Sequence, residues 1–471
     1  MKIARSTLDK ARAINIEPKY YGAFAEIGAG QEVARFFFMA GKASQTIAKT
    51  MSAYDMIYSD EIYGKEKSGR YVCESRLHKM LDKEFQLLIR RLDPSRGDKT
   101  QFFAYANTVS TGDGAKKVSH GWMGVRFQTS PRGAPNDLVI HVRLLDKYRL
   151  QQQEVLGILG VNLVACAFEN MNHPQRIVDA LTENLKPGQV SIDFLKITGP
   201  DTTEIDNTQL GIELVRKNWA ECVLFAPNNQ IESVSEAVFD KSVIVDRGQF
   251  KPITNSHLAL LETAKGQVQK DFGKDQLKDT LEICEIVINQ PHKKEQLKDD
   301  DLVHRVRSIN LAGKHAMISN FYYFYRLKNY VRQASKRPLA LIMSIQHIDR
   351  LFDEKSYADL EGGLLEGLGK LLDKDTHLYL YPNYENDECL SVSTYQPHKS
   401  VKHIYEHFLN SGLLKDMTQC AEIKNFIHST QIEEWIKERK TDWEKHVPPA
   451  VRDFIKKDAF WGFKSERAKT R

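Results

Sequence analysis

The residues whose types and spacing could do chemistry sit together in the middle of the chain, in Arg247-Gly-Gln-Phe-Lys-Pro-Ile-Thr-Asn-Ser-His257. Arg247 and Lys251 are cations suited to phosphate, Thr254 and Ser256 carry hydroxyls, and His257 carries an imidazole. Upstream lies Val243-Ile-Val245, a β-branched run with the composition of a buried parallel strand. Downstream, Leu258, Leu261 and Ala264 recur at helical spacing behind Thr254 or Asn255, either of which can cap a helix. Strand, a turn with Gly248 and Pro252, and helix bring free backbone N–H groups and the positive end of a helix dipole to one point, where phosphate binds well. The plainer reading of the same residues is an ordinary strand-turn-helix in which His257 caps a turn.

The stretch Gly248-Gln-Phe250-Lys-Pro252-Ile-Thr254-Asn-Ser256-His257 resembles the first signature of the nucleotidylyltransferase superfamily, G-x-F-x-P-x-[HT]-x-G-H. It is nearest the phosphopantetheine adenylyltransferase form, T-N-G-H-L; nicotinamide and nicotinate mononucleotide adenylyltransferases carry H-x-G-H. The resemblance implies a Rossmann-like domain in which a phosphate on an acceptor, such as nicotinate or nicotinamide mononucleotide, attacks the α-phosphorus of ATP and pyrophosphate leaves. No protein nucleophile is needed, so catalysis is positioning and charge stabilisation. By this resemblance Thr254 and His257 are the catalytic contacts to ATP, and Arg247, Gly248, Phe250, Lys251 and Ser256 bind the nucleotide. Mg²⁺ would bridge phosphate oxygens, with no protein metal site implied. Ser256 stands where the family has glycine, the residue that lets backbone approach a nucleotide closely. A serine there narrows the approach or adds a hydroxyl donor.

The superfamily's second signature, an S-[ST]-T-x-x-[RK]-like loop, has its nearest counterpart in Leu390-Ser-Val-Ser393-Thr394-Tyr-Gln-Pro-His398-Lys399. The resemblance puts Ser393, Thr394 and Lys399 on the triphosphate, although the spacing differs and Pro397 interrupts. Across the chain, Gly22-Ala-Phe-Ala-Glu-Ile-Gly-Ala-Gly-Gln-Glu-Val-Ala, Tyr71-Val-Cys-Glu-Ser-Arg-Leu and Arg247-Gly-Gln-Phe-Lys-Pro-Ile-Thr resemble a bacterial family of similar length often labelled nicotinate-nucleotide adenylyltransferase.

Other residues invite weaker readings. Gly28, Gly30 and Ala34 form a G-x-G-x-x-x-A pattern before a helix from Gln31 to Ala40, which would suit an NAD-dependent oxidoreductase. The preceding segment is not a clean apolar strand, and no acidic residue follows at a convincing strand end, so a tight turn into a buried helix is the expectation. His120 and His141 have no carboxylate or cysteine at metal spacing and are expected to be structural. The six cysteines lie far apart without a C-x-x-C pair, which predicts reduced thiols and a cytoplasmic setting.

The elements that must position these groups follow from length and pattern. A chain of 471 residues exceeds one ordinary core and predicts at least two domains. There is no run of eighteen apolar residues and no signal-peptide core at the N-terminus, so no membrane association is expected. A formal charge of +5 suits small anionic partners, a nucleotide or another phosphorylated molecule, and without a dense basic stripe does not indicate nucleic acid. The expected fold is α/β in two domains: residues 1–240 mixed α/β, residues 241–430 a Rossmann-like parallel sheet with crossover helices, and residues 431–471 a helical tail. In the first half, Phe102–Ala106, Trp122–Phe127 and Leu138–Leu144 read as strands, and Leu156–Phe168, the most apolar segment, must be buried with its glycines in close packing. The first half exceeds what an adenylyltransferase needs. That leaves a non-catalytic nucleotide-binding or self-assembling scaffold, a homo-oligomer, as the second expectation.

Overall fold

Two sheets organise the chain, which a computed structural model describes over residues 5–112, 119–289, 297–385, 388–418 and 426–463. It divides into two units, 1–221 and 222–471. The division falls earlier than the expected residue 240 because the strand at Cys222–Phe225 pairs with the second sheet. The expected tail from residue 431 lies within the second unit. The cysteine reading needs correction: Cys73, Cys166, Cys222 and Cys284 are free and buried, whereas Cys389 is disulfide-bonded. Cys420 lies outside the described residues.

The first unit is mixed α/β. Its strands are β1 (Tyr20–Ile27), β2 (Ile47–Met51), β3 (Gln101–Ser110), β4 (Ser119–Phe127), β5 (Asn136–Leu144) and β6 (Val190–Thr198). They lie in the order β2-β1-β3-β4-β5-β6, with β1 parallel to β2 and β3 and the remaining pairs antiparallel. Its helices are α1 (Thr7–Ile16), α2 (Glu32–Ala40), α3 (Met56–Tyr63), α4 (Glu74–Arg96), α5 (Arg149–Glu169), α6 (Ile177–Thr182) and α7 (Asn207–Arg216). The apolar segment Leu156–Phe168 is the body of α5, and it packs as expected. A Cβ on Gly160 would sit 2.2 Å from Val33 Cγ2 of α2, so only glycine allows this helix approach.

The Gly28–Ala34 element does have a strand before it and a helix after it. Its helix start is already occupied. The buried Glu26 carboxylate accepts the N–H groups of Val33 (3.2 Å) and Ala34 (2.9 Å), where a dinucleotide's pyrophosphate would bind. Gly28, at φ +99°, presses on β3 so closely that a Cβ would lie 1.9 Å from Val109 O. Gly28 serves close packing, whereas Gly30 is required by its backbone, at φ +80°. His141 is likewise held within the sheet, with Nδ1 2.5 Å from Asp193 Oδ1 and Nε2 3.0 Å from His120 Nδ1. Among the described residues no group of three His, Cys, Asp or Glu could hold a metal ion, and no helix is long and apolar enough to cross a membrane.

The second unit begins with β7 (Cys222–Phe225), β8 (Ile231–Glu232) and α8 (Val234–Ala237). Then strand and helix alternate: β9 (Val243–Arg247), α9 (Asn255–Phe272), β10 (Leu281–Val287), α10 (Asp299–Leu311), β11 (His315–Ser319), α11 (Phe324–Arg332), β12 (Leu339–Ser344), α12 (Gly363–Leu371) and β13 (Thr376–Tyr381). A small hairpin, β14 (Asn383–Glu385) and β15 (Glu388–Leu390), precedes α13 (Lys402–Asn410), β16 (Leu414–Asp416), α14 (Ser429–Lys437) and α15 (Pro449–Asp458). The sheet order is β16-β13-β12-β9-β10-β11-β7-β8. Its six strands from β16 to β11 are parallel, and β7 is antiparallel at the β11 edge. Counted from β9, the parallel strands run 6-5-4-1-2-3, the Rossmann order, with its topological switch point beside the first strand.

Both faces of this sheet are apolar, as parallel sheets require. Val243, Val245, Ile283, Leu339 and Leu341 join one core with Leu327 and Val331 of α11 and Leu368 of α12. The residues between them, such as Ile244, Cys284 and Ile342, are equally buried on the other face. Leu281–Val287 is strand throughout, pairing with β9 and β11.

Burial pushes the Glu26 carboxyl up to about 7. The folded unit then keeps a proton that the unfolded chain has released, so this group's contribution to stability is largest in acid and falls as pH rises through roughly 4.5 to 7. Thermal melts of Glu26→Gln should show a flatter pH dependence than wild type across that window; parallel profiles would refute it.

Candidate functional site

Arg247 ends β9 opposite Glu285 of β10, and the register sets the two side chains together. Arg247 Nε donates to Glu285 Oε2 at 2.8 Å, and Nη1 donates to the Tyr322 carbonyl at 3.0 Å. Glu285 is fully buried, and its other oxygen accepts from Ser319 Oγ at 2.6 Å. The guanidinium lies 3.8 Å from the centroid of the Phe324 ring. Among the described residues its Nη2 has no hydrogen-bond partner. A fixed arginine with one nitrogen unspent is an anion-seeking group.

The turn after Arg247 is built to aim His257. Gly248 N–H donates to the Glu285 carbonyl at 3.1 Å, continuing the ladder one residue beyond the strand. Phe250 is fully buried at φ +46°, and its ring packs 5.0 Å from the imidazole of His257. The Lys251–Pro252 bond is cis. Thr254 is the N-cap of α9 and closes a capping box with His257. Thr254 N–H donates to His257 Nδ1 at 3.2 Å, and Thr254 Oγ1 lies 2.7 Å from the same nitrogen. Nδ1 is therefore the acceptor nitrogen, which leaves Nε2–H as the donor of a neutral ring. Close packing around the ring, and secondly His428, push its pKa down to about 3, although part of the residue's surface remains open at a cavity wall.

A later stretch of chain straps this turn. Ile427 N–H donates to Ser256 Oγ at 3.1 Å, and Ser429 Oγ donates to the Pro252 carbonyl at 2.9 Å. Phe426 places its ring 5.9 Å from His257, 4.8 Å from His428 and 5.7 Å from Tyr381.

These parts surround a cavity of ≈ 480 Å³ at the carboxyl ends of the parallel strands. Arg247 and Gly248 reach it from β9, Tyr322, Tyr323 and Phe324 from β11, His347 and Arg350 from β12, and Tyr381 from β13. His257 and the strap residues His428, Ser429 and Thr430 complete the wall. Among the described residues no carboxylate lines it. Desolvation lowers the pKa of His428, and desolvation followed by Arg350 lowers that of His347, so among the described residues the permanent charges on the wall are the two arginines. An anion with an aromatic part matches this surface.

Of the residues singled out from sequence, Arg247, Gly248 and His257 meet in this cavity. The others do not line it. Thr254 is fully buried as a cap, Phe250 is a buried support for His257, and Ser256 faces the strap. Lys251 is neutralised by Asp301 (3.5 Å) and Glu433 (3.2 Å). Ser393, Thr394 and Lys399 are exposed outside the cavity; Ser393 Oγ pairs with Ser391 Oγ at 3.0 Å, and Thr394 Oγ1 donates to the Cys389 carbonyl at 3.0 Å. The sequence reading missed His347 and Arg350, which follow the end of β12. The aromatic run at 321–325 was a visible signal of the same kind. Nothing local marks His428–Thr430, which arrive from outside the parallel alternation.

No family model and no curated protein matches the chain. The solved structures it is similar to include a competence/damage-inducible protein of Agrobacterium tumefaciens, 16% identical over 35% of this chain and 97% of that one, with a TM-score of 0.25. Another is a competence-damaged (CinA) superfamily protein of Escherichia coli, 14% identical over 35% and 92%, TM-score 0.25. A third is competence damage-inducible protein A of Klebsiella pneumoniae, 11% identical over 36% and 99%, TM-score 0.26. Likeness of this size decides neither fold nor activity, and none of these comparisons returns the nucleotidylyltransferase resemblance.

Glu285→Ala would strand the Arg247 guanidinium in a buried setting. A loss of about 3–5 kcal/mol of stability is expected by chemical denaturation of the full chain, and an unchanged midpoint would show that the pair does not hold the arginine.

Proposed function

We propose that the second unit transfers the adenylyl group of ATP to a phosphorylated acceptor such as nicotinate or nicotinamide mononucleotide. The observation that carries this reading is the convergence of Arg247, Gly248 and His257, all from one short motif, on a cavity at the carboxyl ends of a Rossmann-ordered sheet. In the reaction an acceptor phosphate oxygen forms a bond to the α-phosphorus of ATP. The bond from that phosphorus to the α,β-bridging oxygen breaks, and its electron pair leaves with pyrophosphate.

The chain's own groups fit that charge flow. The Arg247 guanidinium brings a fixed positive charge to the wall, the Nε2–H of a neutral His257 is a fixed donor for phosphate oxygens, and the start of α9 adds the positive end of its dipole. Tyr322, Tyr323 and Phe324 offer an aromatic wall to a base or pyridine ring. ATP would enter as its Mg²⁺ complex. Since no carboxylate lines the wall among the described residues, those residues give the ion no ligand of their own.

Thr254 enclosed as a cap, and Ser393, Thr394 and Lys399 outside the cavity, favour a second reading: a nucleotide-binding protein without catalysis. One assay separates them. Full-length protein with ATP, Mg²⁺ and a panel of mononucleotides should release pyrophosphate, and His257→Ala should lower the rate by about a hundredfold or more. ATP binding without pyrophosphate release across the panel would leave the second reading standing.

A further inference from the structure

We propose that His428 is a phosphate-binding residue of this cavity and that Ser256 is the positioning residue that holds it there. The ligand's identity rests on the adenylyl-transfer reading; the placement of His428 does not. Ser256 is the motif's departure from glycine, and its hydroxyl does not point its hydrogen-bonding capacity at a ligand. It accepts the N–H of Ile427, the residue before His428. Thr254 Oγ1 reaches the Ile427 carbonyl at 3.4 Å, and Ser429, the residue after His428, is tied to the Pro252 carbonyl. The backbone is thus pinned on both sides of His428 by residues of the motif itself.

The ring these ties position lies on the cavity wall with His257. Phe426 stands against both imidazoles, 4.8 Å from His428 and 5.9 Å from His257, and spaces them. Among the described residues no hydrogen bond is made by either ring nitrogen of His428, whereas His257 spends Nδ1 on Thr254. Among the described residues the charged groups on the wall are cationic, Arg247 and Arg350, with no carboxylate to compete for a donor. Thr254, whose hydroxyl would otherwise meet phosphate, is sealed beneath its own cap. His428 supplies the donor at this mouth that Thr254 cannot.

The test is calorimetric binding of α,β-methylene-ATP with Mg²⁺, and of inorganic pyrophosphate, to the full chain. His428→Ala should weaken the analogue by about tenfold, the loss of one hydrogen bond to a charged group, and His428→Asn, which keeps an N–H donor, should recover most of it. Ser256→Ala should weaken binding by a smaller factor in the wild-type background and add nothing once His428 is alanine, a coupling that general loss of stability would not produce. Unchanged binding in His428→Ala, or additive losses in the double variant, would overturn the inference. If the wild type binds neither probe, this inference and the adenylyl-transfer reading both fall. If binding depends on His428 as stated but no acceptor yields pyrophosphate, the phosphate site stands and the transfer reading falls.

Discussion

The hydrogen bond from Thr254 N–H to His257 Nδ1 constrains the rest of the second unit's site. It closes the first turn of α9, fixes which imidazole nitrogen keeps its proton, and commits the Thr254 side chain to the helix end. Phe250 presses on the same ring, so its orientation is set by packing as well as by the cap. On the other side of the turn, Arg247 is held by Glu285, Tyr322 and Phe324. Two donors are thereby pre-positioned before any ligand arrives, which reduces the entropy lost on binding.

The two units use the same local device to opposite ends. In both, a strand runs into a glycine-bearing turn and then a helix. After β1 the chain spends its own Glu26 carboxylate on the N–H groups of α2 and packs Gly28 onto β3, so the helix start is satisfied internally. After β9 a neutral cap serves α9, and among the described residues one guanidinium nitrogen of the neighbouring Arg247 has no hydrogen-bond partner. The two turns differ in which group neutralises the helix end, and glycine spacing does not reveal that.

Much of the second unit was legible in sequence. Val243–Val245 as a strand, the helix that runs from Asn255 to Phe272, and the alternation down to Tyr381 follow from β-branched runs, caps and helical periodicity. Arg247, Gly248 and His257 were found because they share one short motif. Contacts distant in sequence were not legible. Ser256 meets Ile427 across 171 positions, Lys251 meets Glu433, and Asp193 meets His141 on a neighbouring strand, none of them marked by spacing. Within the strand Leu281–Val287 the glutamates are matched by cations from distant elements: Glu282 pairs with Lys265 and Lys314, and Glu285 with Arg247. Ser393, Thr394 and Lys399 had suitable chemistry, but they stand outside the cavity lining, beside Val392, whose N–H donates to Asp416 Oδ1 at the end of β16.

The antiparallel strand β7 has a consequence for the sheet's borders. A parallel sheet ends in two rows of unpaired backbone groups, each able to recruit another chain. Here β7 and its short hairpin partner β8 finish one border, and β16, only three residues long, finishes the other. Neither rim presents a long template, so the unit is built against growth by strand addition and against the fibrous aggregates that such growth produces.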